Sequence, residues 1–195
     1  MKQIKIILIT NIIAKFLTVY KPMLRIELIA AISINGKITD KTGSFSKYSS
    51  KEDQEFLHKK IKASDVLVMG RKTFEKHVEK AKKPMIVFSR QVRHLETDKK
   101  DGQQITWFND SQQEFLNIID LLQYKKVTIL GGAEIYHWFI KQNLLTDIFL
   151  TVEPYIIDSG KNLLEGTLLE MNSKWKLKSA KKINKKGTLL LHYQS

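Results

Sequence analysis

The stretch KVTILGGAEIYHWF (residues 126–139) decides how the chain is read. An apolar run, Val127 to Leu130, ends on two consecutive glycines, Gly131 and Gly132, and an apolar stripe at helical spacing begins at once. Strand, glycine turn and helix form the unit from which open α/β sheets are built, and ligands of such sheets bind beyond the carboxyl ends of the strands. Two residues without Cβ atoms serve either a tight turn or the close approach of a ligand to bare backbone. The spacing is not the G-x-G-x-x-G dinucleotide fingerprint. AISINGKIT (31–39) is not a P-loop, because Ala31 stands where the first glycine belongs and Ile38 follows Lys37 where Ser or Thr is required.

Outward from that unit, the pattern repeats. LRIELIAAISI (24–34) predicts a buried strand, and SSKEDQEFLHKKIKAS (49–64) a helix capped by Ser50 with Phe56, Leu57 and Ile61 on its apolar face. DVLVMG (65–70) predicts a second strand, RKTFEKHVEK (71–80) a short helix, and PMIVFS (84–89) a third strand. A polar loop follows, then a short strand at 105–108. SQQEFLNIIDLLQY (111–124) has the capping box Ser111/Glu114 of a helix start. DIFLTVEPYII (147–157) predicts a strand interrupted by Pro154. WKLKSAKKI (175–183) and TLLLHYQ (188–194), split by NKKG, predict a hairpin. Alternating strands and helices imply an α/β domain with a mostly parallel sheet and an antiparallel C-terminal edge.

At 43% hydrophobic and 27% charged residues over 195 positions, the composition is that of one folded domain rather than a disordered chain. The absence of cysteine excludes a disulfide scaffold and thiolate metal sites. The net charge of +13 resembles a nucleic-acid signature, but four lysines fall in residues 1–22 and seven in 171–195, neither segment holding an acid, so the body is nearly neutral. Such lysines fit a solvated strand face better than a phosphate-binding surface. Residues 1–22 have a basic start and a short apolar run, below the roughly 20 residues a spanning helix needs, and no small-x-small cleavage pattern. They read as an extension ahead of a domain covering 23–195, with a membrane-leaning anchor as the alternative.

MGRKTFE (69–75) ends a strand at Gly70 and opens a helix with Arg71, Lys72 and Thr73, where free N–H groups and the helix dipole favour an anion. The next strand ends in FSRQVR, with Ser89, Arg90 and Arg93. Two basic clusters at adjacent strand ends suit a ligand with separated phosphates such as NADPH, and Arg71 and Arg90 suit its 2′-phosphate because guanidinium binds phosphate bidentately. Solvated surface charge accounts for the same residues. Asp53, on the first turn of its helix, serves as a helix-dipole partner or as an acid facing a pocket. The five histidines show no HExxH spacing.

In order, these segments resemble the dihydrofolate reductase superfamily from residue 24 to the C-terminus: LIAAISINGKI, VLVMGRKTFE, MIVFSR and ILGGAEIYHWFIKQNLLTDIFLT. The resemblance implies a dihydrofolate reductase-like three-layer α/β fold, its central, mostly parallel sheet flanked by helices and closed by a C-terminal antiparallel hairpin. Within the superfamily, SINGKI, SSKEDQEFLHKKIKASDVLVMG and LTVEPYIIDSGKNLLEG are similar to stand-alone relatives of the riboflavin-biosynthesis (RibD-type) reductase domain, with Asn35 in place of an aspartate and Asp158 in place of a glycine. The L-P-W segment of dihydrofolate reductase is replaced by SFSKYSS, and Lys83 stands where an arginine clamps the folate tail.

The resemblance implies that Ala31 and Ile38 line a nicotinamide pocket and that Gly70, Arg71, Lys72, Thr73, Ser89 and Arg90 hold the adenosine phosphates. Gly131, Gly132, Ala133 and Glu134 cradle the pyrophosphate through their backbone. Tyr136 lies by the nicotinamide, and Thr151 hydrogen-bonds a catalytic acid, Asp53 or, one position away, Glu52. The implied protein is a cytoplasmic, homodimeric, NADPH-dependent reductase without metal or nucleic-acid partner. It acts on a C=N or C=O carbon of a pyrimidine- or pteridine-type substrate, an aminouracil ribosylamine phosphate in the favoured branch and dihydrofolate in the other. A non-catalytic NADPH-binding protein and a basic-tailed nucleic-acid binder are the readings from other classes.

Overall fold

The computed structural model describes residues 24–77, 82–92, 96–100, 102–109, 111–164 and 175–195. The expected extension, residues 1–22, lies outside them, as do Arg93 and Lys174. The elements run β1 (Arg25–Ser33), α1 (Lys51–Ala63), β2 (Val66–Gly70), α2 (Arg71–His77), β3 (Met85–Phe88), β4 (Glu96–Lys100), β5 (Gln103–Phe108), α3 (Gln112–Leu121), β6 (Lys126–Ile129), α4 (Ala133–Lys141), β7 (Asp147–Glu153), β8 (Lys176–Lys182) and β9 (Leu189–Gln194). All described strands join one sheet in the order β4-β5-β3-β2-β6-β1-β7-β9-β8. From β5 to β7 the pairings are parallel; β4–β5, β7–β9 and β9–β8 are antiparallel.

Both capping serines do what their spacing predicts. Ser50 Oγ accepts from the Asp53 amide and Ser111 Oγ from the Glu114 amide, each at 3.3 Å. On one side of the sheet, α3 and α4 bury Phe115, Ile118 and Phe139 against Ile26, Leu28, Val127 and Ile129. On the other, Phe74 of α2 and Ile61 of α1 pack on Leu67, Met69, Met85, Val87 and Ile105. The apolar runs thus become the strands covered on both faces, as a parallel sheet requires.

Two elements depart from the sequence reading. Part of the polar segment after Ser89, expected as a loop, forms strand β4, which turns at Gly102 into β5. ETDKK has no apolar alternation; it pairs because β5 offers a row of unsatisfied backbone groups, and its charged side chains blunt the resulting edge. β7 stops at Glu153, because Pro154 has no N–H to continue the ladder. Its alternation is also inverted: Asp147, Phe149, Thr151 and Glu153 are buried, whereas Ile148, Leu150 and Val152 are half-buried. The lysine-rich C-terminus is edge strand β8, with Lys176, Lys178, Lys181 and Lys182 exposed.

The polar face of β7 continues on β1, where Glu27 pairs with Asp147 in register and is 1% exposed. Its carboxylate meets Lys60 Nζ at 3.1 Å and Lys126 Nζ at 3.5 Å. Lys60 Nζ also sits 3.3 Å from the centroid of the Phe149 ring. Burial pulls the Lys60 ammonium below the usual lysine range, and the Glu27 charge opposes that shift. Removing the Glu27 charge leaves two cations facing each other. We expect Glu27→Gln to lose about 3 kcal/mol of folding stability in urea titration, the lower end of the cost of breaking a buried pair, because both lysines keep partial access to water.

Candidate functional site

The glycine pair lies where three elements converge. The Gly70 amide at the end of β2 donates to the Gly131 carbonyl at 2.8 Å, tying adjacent strand ends together. Gly131 has φ +94°, and the Gly131–Gly132 peptide is cis. A Cβ on Gly131 would lie 2.7 Å from Cζ of Tyr136, so the tyrosine ring fills the space that a side chain would take. A Cβ on Gly132 would meet only Thr73 Oγ1, at 3.6 Å. Gly132 is also the N-cap of α4 and contributes no side chain to it, so bare backbone opens the helix. Ala133 is buried behind this turn, and Glu134 projects from it.

Tyr136 joins the cradle to the sheet centre. Its hydroxyl donates to the Ile29 carbonyl on β1 at 2.7 Å. Full burial, and then the nearby Asp53 charge, push its phenol well above the ordinary range, so it stays a hydrogen-bond donor at any physiological pH.

Beyond Tyr136 lies the acid. Asp53 is 5% exposed and accepts a hydrogen bond from Ser49 Oγ at 2.6 Å. Burial raises its carboxyl above the usual aspartate range; Ser49 and the nearby Thr151 hydroxyl oppose the shift, and the Glu153 charge adds to it. Thr151 Oγ1 is buried with no hydrogen-bond partner, which makes it a polar atom facing the acid with its bonding capacity free. Ala31 pairs with Thr151 in register, on the adjacent strand. Glu52 points elsewhere: it accepts from Asn184 Nδ2 at 3.2 Å, and its own helix amide and that asparagine hold its carboxyl low.

A third region adjoins the ends of β2 and β3. A cavity of about 370 Å³ is lined by Arg71, Glu75, Ser89, Gln91, Val92, Glu96 and Trp107. Arg71 Nη1 contacts Glu75 Oε1 at 3.1 Å, and Arg90 Nη2 contacts Glu134 Oε2 at 2.7 Å. Each arginine is therefore already engaged by a carboxylate through one of its terminal nitrogens. Lys72 is exposed and not among the cavity residues.

The loop after β1 is fixed to the one after β7. Asn35 donates to the Ile157 carbonyl at 2.9 Å and accepts from its amide at 3.2 Å, which needs the amide chemistry of asparagine and is beyond a carboxylate. The Ile38 amide donates to the Lys161 carbonyl at 2.8 Å, and its side chain packs on the core. Lys83 Nζ bonds the Ser64 carbonyl at 2.8 Å, eleven residues beyond Asp53 and about 16 Å along the α1 axis.

The fold belongs to the dihydrofolate reductase-like α/β class. Dihydrofolate reductase from Enterococcus faecalis, in a structure complexed with NADP(H) and RAB-propyl, superposes with a TM-score of 0.63 at 19% identity, covering 87% of this chain and 95% of that one. Within that class the chain belongs to the RibD C-terminal domain family, which it matches over residues 25–189. It is similar to the uncharacterized protein YwjB of Bacillus subtilis (strain 168), 26% identical over 172 residues, covering 85% of this chain and 95% of YwjB. It is also similar to the diaminohydroxyphosphoribosylaminopyrimidine deaminase/5-amino-6-(5-phosphoribosylamino)uracil reductase of Thermotoga maritima, with a TM-score of 0.72 at 15% identity over 92% of this chain and 58% of that one.

Sequence reading missed Glu153 and Ser49, and the carboxylates that hold the two arginines. The Arg71/Glu75 spacing of four was legible; the Arg90–Glu134 contact joins positions 44 apart and was not.

Two outcomes follow from this geometry. Gly131→Ala drives a Cβ into the Tyr136 ring at a positive φ and should cost about 1–3 kcal/mol, whereas Gly132→Ala should cost much less; paired thermal melts compare them. Asp53→Asn should stabilise the fold at neutral pH. A carboxyl whose proton affinity is raised by folding contributes stability below the ordinary aspartate range, about pH 3.9, and loses it as the pH climbs through its raised value. The gain of the variant should therefore vanish in acid, which urea titrations at pH 3.5 and 7.5 would reveal.

Proposed function

We propose that this chain is an NADPH-dependent reductase, working as a homodimer, that delivers hydride to a C=N or C=O carbon of a pyrimidine- or pteridine-type substrate. The favoured substrate is an aminouracil ribosylamine phosphate of the kind named for the Thermotoga maritima relative. The observation that carries this reading is the pairing of a buried acid, Asp53, its carboxyl raised by burial, with an unpartnered Thr151 hydroxyl, one side chain away from a backbone cradle. The fit to a dinucleotide rests on Gly132, where bare backbone opens α4 and the Cβ position meets only Thr73 Oγ1 at 3.6 Å, and on the cavity holding Arg71 and Ser89.

When bound, the nicotinamide supplies the hydride. Gly131 and Gly132 admit the pyrophosphate against main chain, and Arg71 and Ser89 receive the ribose phosphate once Arg71 leaves Glu75. Thr151 orients the heterocycle through its free hydroxyl. Asp53, its carboxyl raised above the usual aspartate range by burial, donates a hydrogen bond or proton to the atom beside the acceptor carbon, which makes that carbon electrophilic. Tyr136, its hydroxyl committed to Ile29, serves as the wall between the two subsites. Lys83, engaged with Ser64, offers no fork for a folate glutamate tail, so dihydrofolate is the weaker candidate.

NADPH oxidation, followed in parallel with the aminouracil and with dihydrofolate, tests the reading. Asp53→Asn should lower kcat by about 10²–10⁴ and spare NADPH affinity, the range expected for a general acid. Arg71→Ala should raise the Kd for NADPH about tenfold or more and leave that for NADH nearly unchanged. Absence of NADPH binding at millimolar ligand, or full turnover in Asp53→Asn, would overturn the proposal.

A further inference from the structure

Among the described residues, Glu153 is the one deeply buried carboxylate near Asp53 that the proposed chemistry leaves without a role. It is 1% exposed at the end of β7, and both its oxygens are held by directed donors. Oε1 accepts from the Ser50 amide at 2.7 Å, and Oε2 from Thr188 Oγ1 at 2.8 Å. Thr188 is clasped in turn by Asn184, which bonds its hydroxyl at 2.8 Å and accepts from its amide at 3.1 Å. Asn184 then returns to α1 by donating to Glu52 Oε2 at 3.2 Å. The bonds close a ring running from the start of α1 to β7, to the turn before β9, and back to the first turn of α1.

We propose that Glu153 is a positioning residue, clamping the helix turn that carries Asp53 against the strand that carries Thr151. The proposal rests on the reading of Asp53 as the acid of the site. Ser50, bonded by Glu153, is the N-cap whose side chain also accepts from the Asp53 amide, so the clamp acts one hydrogen bond from the acid. Thr151 lies two residues before Glu153 and, by the alternation of the strand, on the same face.

The charge of Glu153 adds a second effect. Among the described residues, the titratable groups facing Asp53 are Glu153 from β7 and Tyr136 from α4, and Tyr136 stays neutral. Glu52, on the same helix, is turned to Asn184. The like charge of Glu153 therefore favours the proton on Asp53, in the same direction as burial. Sharing a clamp and a charge in one side chain links the position of the acid to its protonation state.

Glu153→Gln separates the two effects. Its amide oxygen can still accept from Ser50, and its NH₂ can donate to the Thr188 hydroxyl, so the ring survives without the charge. In the pH dependence of kcat with NADPH and substrate, the limb on which activity falls with rising pH should move to lower pH in Glu153→Gln. A purely structural role would lower the curve without moving it. Thr188→Val, which cuts the ring and keeps the charge, should lower kcat at least tenfold without moving that limb lower.

Titration of the Asp53 carboxyl by ¹³C NMR in substrate-free wild type and Glu153→Gln distinguishes failure of this inference from failure of the catalytic reading. A lower Asp53 pKa in Glu153→Gln supports the charge effect even if Asp53→Asn proves fully active, which would sink the catalytic reading alone. An unchanged Asp53 pKa overturns the charge effect. Wild-type kcat in Thr188→Val overturns the clamp, and because that variant is independent of Glu153→Gln, it remains decisive if the latter fails to fold.

Discussion

Four carboxylates lie buried between α1 and the sheet, and the molecule must answer each of them, because an unpaired charge away from water costs several kcal/mol. Glu27 is answered by two lysines. Asp147 is answered by the Thr146 hydroxyl at 2.8 Å and by His192 at 2.7 Å, whose ring stacks on Phe149. Glu153 is answered by a backbone amide and a buried threonine. Asp53 has one hydroxyl, Ser49, and a threonine that stops short of bonding it. The compensation thins from the lysine end of α1 to its amino end. At Asp53 desolvation prevails over hydrogen bonding and raises the carboxyl above the usual aspartate range.

What could be read from the sequence follows from where physical rules act locally. The capping serines, the apolar runs and the glycine pair each depend on a few neighbouring residues, and each found its expected place. The polar face of β7 was hidden because DIFLTVE offers two faces of nearly equal claim. Hydrophobicity assigns Ile148, Leu150 and Val152 inward, and only the cations and hydroxyls brought in by α1, β6 and β9 reverse that assignment. The Glu153 clamp joins residues 35 and 103 positions away, so no window along the chain contains it. β4 escaped for the opposite reason: its residues have little strand preference, and the partner edge supplies the pairing.

The four lysines of β8, part of the positive charge, have a structural account in the same terms. β8 closes one edge of the sheet with its backbone groups open to pairing, and lysines along it make a second strand electrostatically unwelcome. At the other edge, β4 mixes Glu96 and Asp98 with Lys99 and Lys100, so neither edge presents an apolar strip.

The cradle and the acid pocket share one wall, and that wall is a side chain with no freedom to leave. Tyr136 packs where a Gly131 side chain would be, and its hydroxyl is tied to Ile29 in the centre of β1. A ligand lying on the glycine pair and a ring held by Thr151 would therefore meet across a fixed separation, set by a strand and a helix rather than by loops. The phosphate end is built differently. Arg71 and Arg90 each hold an exposed carboxylate, and such contacts contribute little to stability, so exchanging Glu75 or Glu134 for a phosphate costs little in lost ion pairing. Rigid geometry at the acid and exchangeable charge at the arginines are the division that the proposed dinucleotide-dependent reaction would require. The two ends of this site divide along that line.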